Sequence, residues 1–414
     1  MRRFLQLGPI MVYAAVVASV AIQQYTRRVE LHPLDGEPLP ENIPAPVCDL
    51  RHWFDGTLQA ELSSWYPKIL GFRPLIIRLY NEVLYSALHD ANSGSRSKVV
   101  VGRDEELFTW YFVSRSIYHA TLNEALLEAR VEKLKRVQSI LHDRGIALVV
   151  VITPSKASVY HDKLPYRFSR GWTSQPPPLY ARMRSLLEDA GVRYLDFDRE
   201  FLRKRTMDDQ FGPFPKTGVH WNHVSAGYAL ERIFKEGEAQ LGVDIERRVP
   251  VGVASRRTID TDRDALSMLN LLSDSRRALP SPYPLYRPHG VDGALRARVL
   301  LVGDSFAGQI VRIMADQDMC DYVTYWWYFR SEATVGSTVT PAFARKPIAK
   351  DSIDWNQLLD DHNLVVIEFN KAFCKSQQVQ GFGWGFADAL ADAFPAPSET
   401  SPDGIRSQVD PSQP

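Results

Sequence analysis

Seven consecutive apolar residues, Ile146-Ala-Leu-Val-Val-Val-Ile152, constrain the fold of this chain more than any other feature. A short run that is apolar at every position, without alternation, fits a strand buried on both faces, as in a parallel sheet. The stretch before it, Leu122 to His142, has apolar residues at helical spacing (Leu126, Leu127, Val131, Leu134, Val137, Ile140, Leu141) and ends at Gly145, a fitting C-terminal cap. The unit recurs. Leu179 to Ala190 reads as a helix closed by Gly191, and Val192 to Phe197, Ala297 to Val302 and Asn363 to Phe369 read as further strands. Strands alternating with helices predict an α/β fold with a right-handed, doubly wound parallel sheet.

The chain has 414 residues, enough for one large core or two medium ones. Basic and acidic residues balance at 49 each, so no global field favours nucleic acid or acidic ligands. Cys48, Cys320 and Cys374 are far apart, which argues against a zinc site; Cys320 and Cys374 border apolar segments and read as buried, inert thiols, one bridge being the alternative. No cofactor is expected.

The N-terminus differs in kind. Arg2 and Arg3 precede an apolar run from Phe4 to Ile22, broken only by Gln6, Gly8, Pro9 and Ser19. That length suits a bilayer-spanning helix. Ser19-Val20-Ala21 also fits a signal cleavage site, so residues 1–28 are an anchor or a signal, with the length favouring the anchor. Two arginines on each side leave its orientation open. Residues 29–49 are a Pro-rich linker, 50–394 the folded domain, and 395–414 a polar tail expected to be disordered.

The strand 297–302 runs directly into Gly303-Asp304-Ser305-Phe306-Ala307-Gly308 and then a helical stretch. A serine between a parallel strand and a helix stands in the usual ligand crevice of an open α/β sheet. Gly303 permits a tight turn, and the amides at the helix start point toward a developing oxyanion. The alternative is that Asp304 or Ser305 only caps the helix. The segment Lys216-Thr217-Gly218-Val219-His220-Trp221-Asn222 supplies an imidazole in a polar turn, suited to a general base. His220 and His223 lack the further ligands a metal would need.

These motifs, with Val101-Gly-Arg-Asp104, Leu107-Phe108, Val151-Ile-Thr-Pro-Ser-Lys156 and Asp264-Ala-Leu-Ser-Met-Leu269, occur in an order that resembles the SGNH-like exopolysaccharide O-acetyltransferase family, typified by the alginate O-acetylation proteins. The resemblance spans about residues 98 to 370. It implies an SGNH-hydrolase-like fold, with Ser305 as nucleophile and His220 as base. It also implies an inner-membrane protein with a single N-terminal transmembrane helix and a periplasmic domain. The acceptor would be a polysaccharide, and the acetyl donor would be delivered by a multi-pass membrane acyltransferase. One position departs from the family motif Asp-x-His-Trp: Gly218 stands where the aspartate belongs. Three readings stay open, namely a Ser–His dyad, an acid from Asp208 or Asp209, and a chain that binds without catalysing.

Lys156, Glu368 and Asn370 end strands at the carboxyl edge of the sheet, and Asn370 is a candidate oxyanion-hole donor. Tyr325-Trp-Trp-Tyr328 and Trp384 suit either sugar stacking or the core. The expectation is therefore a periplasmic O-acetyltransferase working through Ser305 and His220, lined by Gly303, Asn370 and Lys156. The alternatives are a carbohydrate esterase and a non-catalytic module that binds polysaccharide or partner proteins.

Overall fold

The computed structural model describes residues 28–395 except 36–42, 92–98, 118–122, 171–177, 206–210, 259, 274–276, 278, 290–291, 337–344 and 373–382; before residue 28 it describes only isolated positions. After residue 28 the described chain forms α1 (Leu50–Phe54), α2 (Thr57–Ile69) and α3 (Arg73–Leu88). A small antiparallel pair, β1 (Val99–Val101) and β2 (Leu107–Thr109), leads into α4 (Trp110–Ile117). Next come α5 (Glu124–His142), β3 (Ala147–Thr153), α6 (Pro178–Asp189), β4 (Tyr194–Asp196), α7 (Phe197–Arg203) and α8 (His223–Leu241). An antiparallel ribbon of β5 (Arg247–Arg256) and β6 (Ser281–His289) precedes β7 (Arg298–Gly303) and α9 (Ala307–Asp316). The chain closes with β8 (Tyr322–Trp327), β9 (Ser331–Gly336), β10 (Lys346–Pro347), α10 (Trp355–Asp360), β11 (Leu364–Asn370) and α11 (Gly383–Ala393).

The main sheet has the order β10-β9-β8-β7-β11-β3-β4. From β8 to β4 every neighbouring pair is parallel, as the apolar runs predicted. The edge beyond β8 is not: β9 and β10 are antiparallel, so the expected all-parallel sheet is corrected to a mixed one. The reason is connection length. Only Tyr328, Phe329 and Arg330 join β8 to β9, whereas a parallel crossover needs a dozen residues or more.

Alternate residues of each strand feed two cores, because side chains on a strand point to opposite faces in turn. Val149, Val151, Val299 and Leu301 pack with Trp221, Phe234 and Ile310 under α8 and α9. Leu148, Val150, Leu300 and Val302 pack with Leu134, Leu187 and Phe386 under α5, α6 and α11. Trp384 is 3% exposed and sits against Phe369, which makes it a core residue rather than a sugar platform. Tyr325 and Trp326 are core residues too.

Among the described residues no helix is long and apolar enough to cross a membrane, and most of the run Phe4–Ile22 lies outside them. The tail from 396 onward, Cys374, Asp208 and Asp209 also lie outside. Part of the Pro-rich linker is fastened rather than free. Arg78 of α3 donates to the carbonyls of His32 and Pro33, Leu34 is buried, and Asn270 exchanges hydrogen bonds with the Asp35 backbone. Cys48 and Cys320 are free thiols, exposed and buried respectively.

Candidate active site

The carboxyl ends of β3, β11, β7 and β8 lie along one edge of the sheet, and the turn after β7 carries the Ser305 hydroxyl there. Ser305 is partly exposed, so solvent reaches it. Its turn is held from below: Asp304 N–H donates to Glu368 Oε2 at 2.8 Å, and Phe306 N–H donates to Asp304 Oδ1 at 2.7 Å. Gly303 is required by this packing, since a Cβ there would stand 2.8 Å from Glu368 Oε2 and 2.9 Å from its Cβ. The close approach at this glycine is made by a carboxylate of the protein's own sheet.

His220 arrives from the loop before α8. Its Nε2 lies 2.8 Å from Ser305 Oγ. Trp221, fully buried, donates from Nε1 to Phe306 O at 3.0 Å, and the Phe306 ring lies against the imidazole. The loop is thereby tied to the serine turn on both sides of the catalytic-type contact.

The acid absent at position 218 comes from elsewhere. Asp264 Oδ2 lies 2.5 Å from His220 Nδ1, while its Oδ1 accepts from Val219 N–H at 2.8 Å and Ala265 N–H at 2.7 Å. An Nδ1–H donating to Asp264 leaves Nε2 unprotonated, facing the serine O–H. This corrects the expectation of a dyad without a carboxylate. Gly218 has its own reason: a Cβ there would stand 2.7 Å from Thr261 O and 2.9 Å from Asp262 O. The two segments abut backbone to backbone, stitched by Leu266 N–H to Thr217 O and Thr217 Oγ1 to Asp262 O. A side chain at 218 would push the acid-bearing segment away.

Burial disfavours charge on His220, but the Asp264 charge and hydrogen bond outweigh it and raise the pKa above the ordinary 6.5. Beneath the turn, burial pushes Asp304 up to about 6, and burial together with the Asp304 charge holds Glu368 well above the usual carboxylate range. Thr153 Oγ1 donates to Glu368 Oε1.

Two residues proposed from sequence, Lys156 and Asn370, make other contacts. Lys156 is 1% exposed; its ammonium donates to the carbonyls of Pro215 (2.7 Å), Lys216 (2.9 Å) and Gly218 (3.0 Å) and pairs with Glu106 at 2.9 Å. It fastens the His220 loop instead of lining the crevice. Asn370 donates its amide to Thr153 Oγ1 and Pro154 O, and its Oδ1 accepts from Ala372 N–H, so it shapes the turn after β3 and is not aimed at an oxyanion. His223 is fully buried, and burial, with Arg256 and Arg312 nearby, drops its pKa to about 3. Among the described residues no group of three His, Cys, Asp or Glu could hold a metal.

Sequence reasoning offered Tyr328 only within a segment for sugar stacking or the core, not as a neighbour of Ser305. It and Phe329 have φ of 53° and 50°, the left-handed region that costs of order 1–3 kcal/mol for such residues. The strain turns the Tyr328 hydroxyl to Ser305, within hydrogen-bonding reach of its side chain and backbone. Two consecutive left-handed bulky residues cannot be read from side-chain pattern, because nothing local favours them.

Residues 99–310 match the family of SGNH hydrolase-like domains described by the acetyltransferase AlgX. A curated relative, the probable alginate O-acetylase AlgJ of Pseudomonas aeruginosa, is 25% identical over 183 residues, covering 44% of this chain and 43% of that one. The match thus spans less than half of the relative's length. Among solved structures, the O-acetyltransferase domain of Pseudomonas putida AlgJ aligns with a TM-score of 0.43 at 20% identity, over 72% of this chain and 100% of that one. Pseudomonas aeruginosa AlgX aligns with a TM-score of 0.42 at 15% identity, over 71% and 67%.

Proposed function

The chain belongs to the family of SGNH hydrolase-like domains described by the acetyltransferase AlgX, and from that premise we propose that it transfers acetyl groups to hydroxyls of an exopolysaccharide through Ser305. The observation that carries this reading is the unbroken hydrogen-bonded series from Asp264 through His220 to Ser305. A carboxylate that orients an imidazole toward a serine hydroxyl is the arrangement that makes serine a nucleophile at neutral pH.

In this reading Ser305 Oγ attacks the carbonyl carbon of the acetyl donor while its proton passes to His220 Nε2. The donor's leaving group departs with that proton, and acetyl-Ser305 remains. An acceptor hydroxyl then gives its proton to His220 and attacks the acetyl carbon. Ser305 Oγ leaves and recovers the proton. Asp264 stabilises the imidazolium formed twice in the cycle, and the Ser305 N–H serves the oxyanion with Tyr328 beside it. The acceptor follows from the alginate named for the AlgJ relative. The same reading places the domain in the periplasm, held to the inner membrane by residues 1–28, with a multi-pass membrane acyltransferase supplying acetyl groups.

The full chain in detergent, mixed with a chromogenic acetyl ester, is expected to release chromophore and to carry an acetyl group on Ser305 by mass spectrometry. Ser305→Ala is expected to do neither. Added mannuronate oligosaccharide is expected to divert acetate into sugar ester. Free acetate alone would mean an esterase, and no turnover in either protein would leave only a binding role.

A further inference from the structure

Helix α3 is built inside out. Its polar residues face the protein: Asn81 is buried and donates to Leu269 O at 2.8 Å, Glu82 pairs with Arg277 at 2.7 Å and accepts from Leu272 N–H, and Arg78 holds the His32 and Pro33 carbonyls. Tyr85 packs inward against Val99, Leu107 and Leu266, but a second set of apolar residues faces away. Ile76, Leu79, Tyr80 and Val83 are 45%, 48%, 53% and 61% exposed. They follow the i, i+3, i+4, i+7 spacing that makes one stripe on a helix. On α1, which packs on α2, Trp53 and Phe54 are 55% and 83% exposed. Scattered exposed apolar residues are ordinary, whereas an ordered stripe with its polar side turned inward marks an apolar medium or partner outside.

The path of the chain says which. The apolar run ends at Ile22, and the next residues are fixed against the start of α3. Gln23 is 5% exposed, and its amide exchanges hydrogen bonds with the Val29 backbone at 2.7 and 3.1 Å. Gln24 lies so close to Gly71, just before α3, that a Cβ on the glycine would stand 2.6 Å from its backbone nitrogen. No slack separates the apolar run from the stripe. Whatever residues 4–22 enter therefore lies beside α3, whose 16 residues extend only about 24 Å.

We propose that the Ile76–Val83 stripe of α3, with Trp53 and Phe54, is seated in the interfacial layer of the bilayer that residues 4–22 enter. Aromatic and aliphatic side chains on a helix lying in the membrane plane are suited to that layer. The domain is then fixed against the membrane surface rather than swinging on a leash, which holds its crevice at a set height above the lipid.

The test uses the full chain, with its three cysteines replaced, reconstituted into phosphatidylethanolamine–phosphatidylglycerol vesicles. A polarity-sensitive fluorophore is attached at Ile76→Cys, at Val83→Cys, or at Glu132→Cys on α5, a side chain 72% exposed. Labels at 76 and 83 are expected to shift to the blue in vesicles and to lose most of their emission to lipids carrying a shallow nitroxide; the label at 132 is expected to do neither. In the unlabelled chain, brominated lipid is expected to quench a tryptophan fraction that Trp53→Phe removes. Labels at 76 and 83 as wet as the one at 132 would overturn the proposal. So would shielding that lipid nitroxide does not sense and that vanishes at one chain per vesicle, which would assign the stripe to a second copy.

Discussion

Asp264 lies 44 residues beyond the histidine it supports, while the motif position two residues before that histidine is glycine. The two facts have one cause. The acid-bearing segment approaches so closely that only glycine fits at 218. Asp264→Asn keeps an Oδ1 for the Val219 and Ala265 amides, so the loop holds, but it removes the charge opposite the imidazole. Turnover of the acetyl ester is expected to fall by ~10³–10⁴-fold, the scale seen when a serine protease loses its carboxylate. The acid limb of the kcat/KM profile is expected to move to lower pH. Asp264 makes the largest contribution raising the His220 pKa against burial, ahead of the Asp304 and Asp262 charges, so without it burial weighs more and the ring stays neutral to lower pH. A limb that stayed in place would show that Asp264 does not set the base. Gly218→Asp in the same background is expected not to rescue activity, because its Cβ meets Thr261 O. The residues Asp264 to Leu269 stood out in the sequence, yet no spacing rule joins them to His220. The junction is made by two loops packing backbone to backbone, and side-chain pattern does not record that.

The loop that carries His220 has no regular structure from Pro213 to Asn222, and Lys156 takes over the work of a helix or strand there. Its ammonium gathers three carbonyls of that loop and the Glu106 carboxylate within 3.0 Å. The Val101–Phe108, Thr153–Lys156 and Thr217–Asn222 segments are thereby gathered into one knot, which Leu107 N–H to Lys216 O closes. The lysine was visible in the sequence, but its partners are mainly backbone oxygens, which every residue has. Lys156→Met leaves those carbonyls and Glu106 buried without a counter-charge, a loss of roughly 3–5 kcal/mol for one partner of a buried pair. A melting temperature several degrees lower is expected. At temperatures where the variant is still folded, acetylation of Ser305 is expected to slow with little change in KM, because the histidine and not the substrate is displaced. A variant that melted earlier but acylated at the wild-type rate would reduce Lys156 to a purely structural role.

At the scale of the whole molecule, the parallel heart of the sheet was legible because a strand covered on both faces reads as an unbroken apolar run, as residues 147–152 and 364–367 do. The antiparallel edge was not, because β9 is half-exposed and its direction is decided by a three-residue turn, two of whose residues are strained. One polar element interrupts that apolar heart: Glu368 inside β11, 1% exposed, beneath the serine turn with Asp304. Folding must supply Glu368 with a proton that the unfolded chain has lost above its ordinary 4.5, and Asp304 behaves alike between its ordinary 3.8 and about 6. Raised carboxyl pKa values contribute stability that is fully present below the unfolded values and is lost as pH climbs toward the folded ones. Glu368→Gln preserves an acceptor for the Asp304 amide and needs no proton. The variant is therefore expected to melt close to wild type near pH 4.5 and increasingly above it from there to about pH 8. Paired thermal melts across that range read the difference directly. A gap that did not widen with pH, or that opened in the opposite direction, would mean that Glu368 is charged and paired in the folded protein.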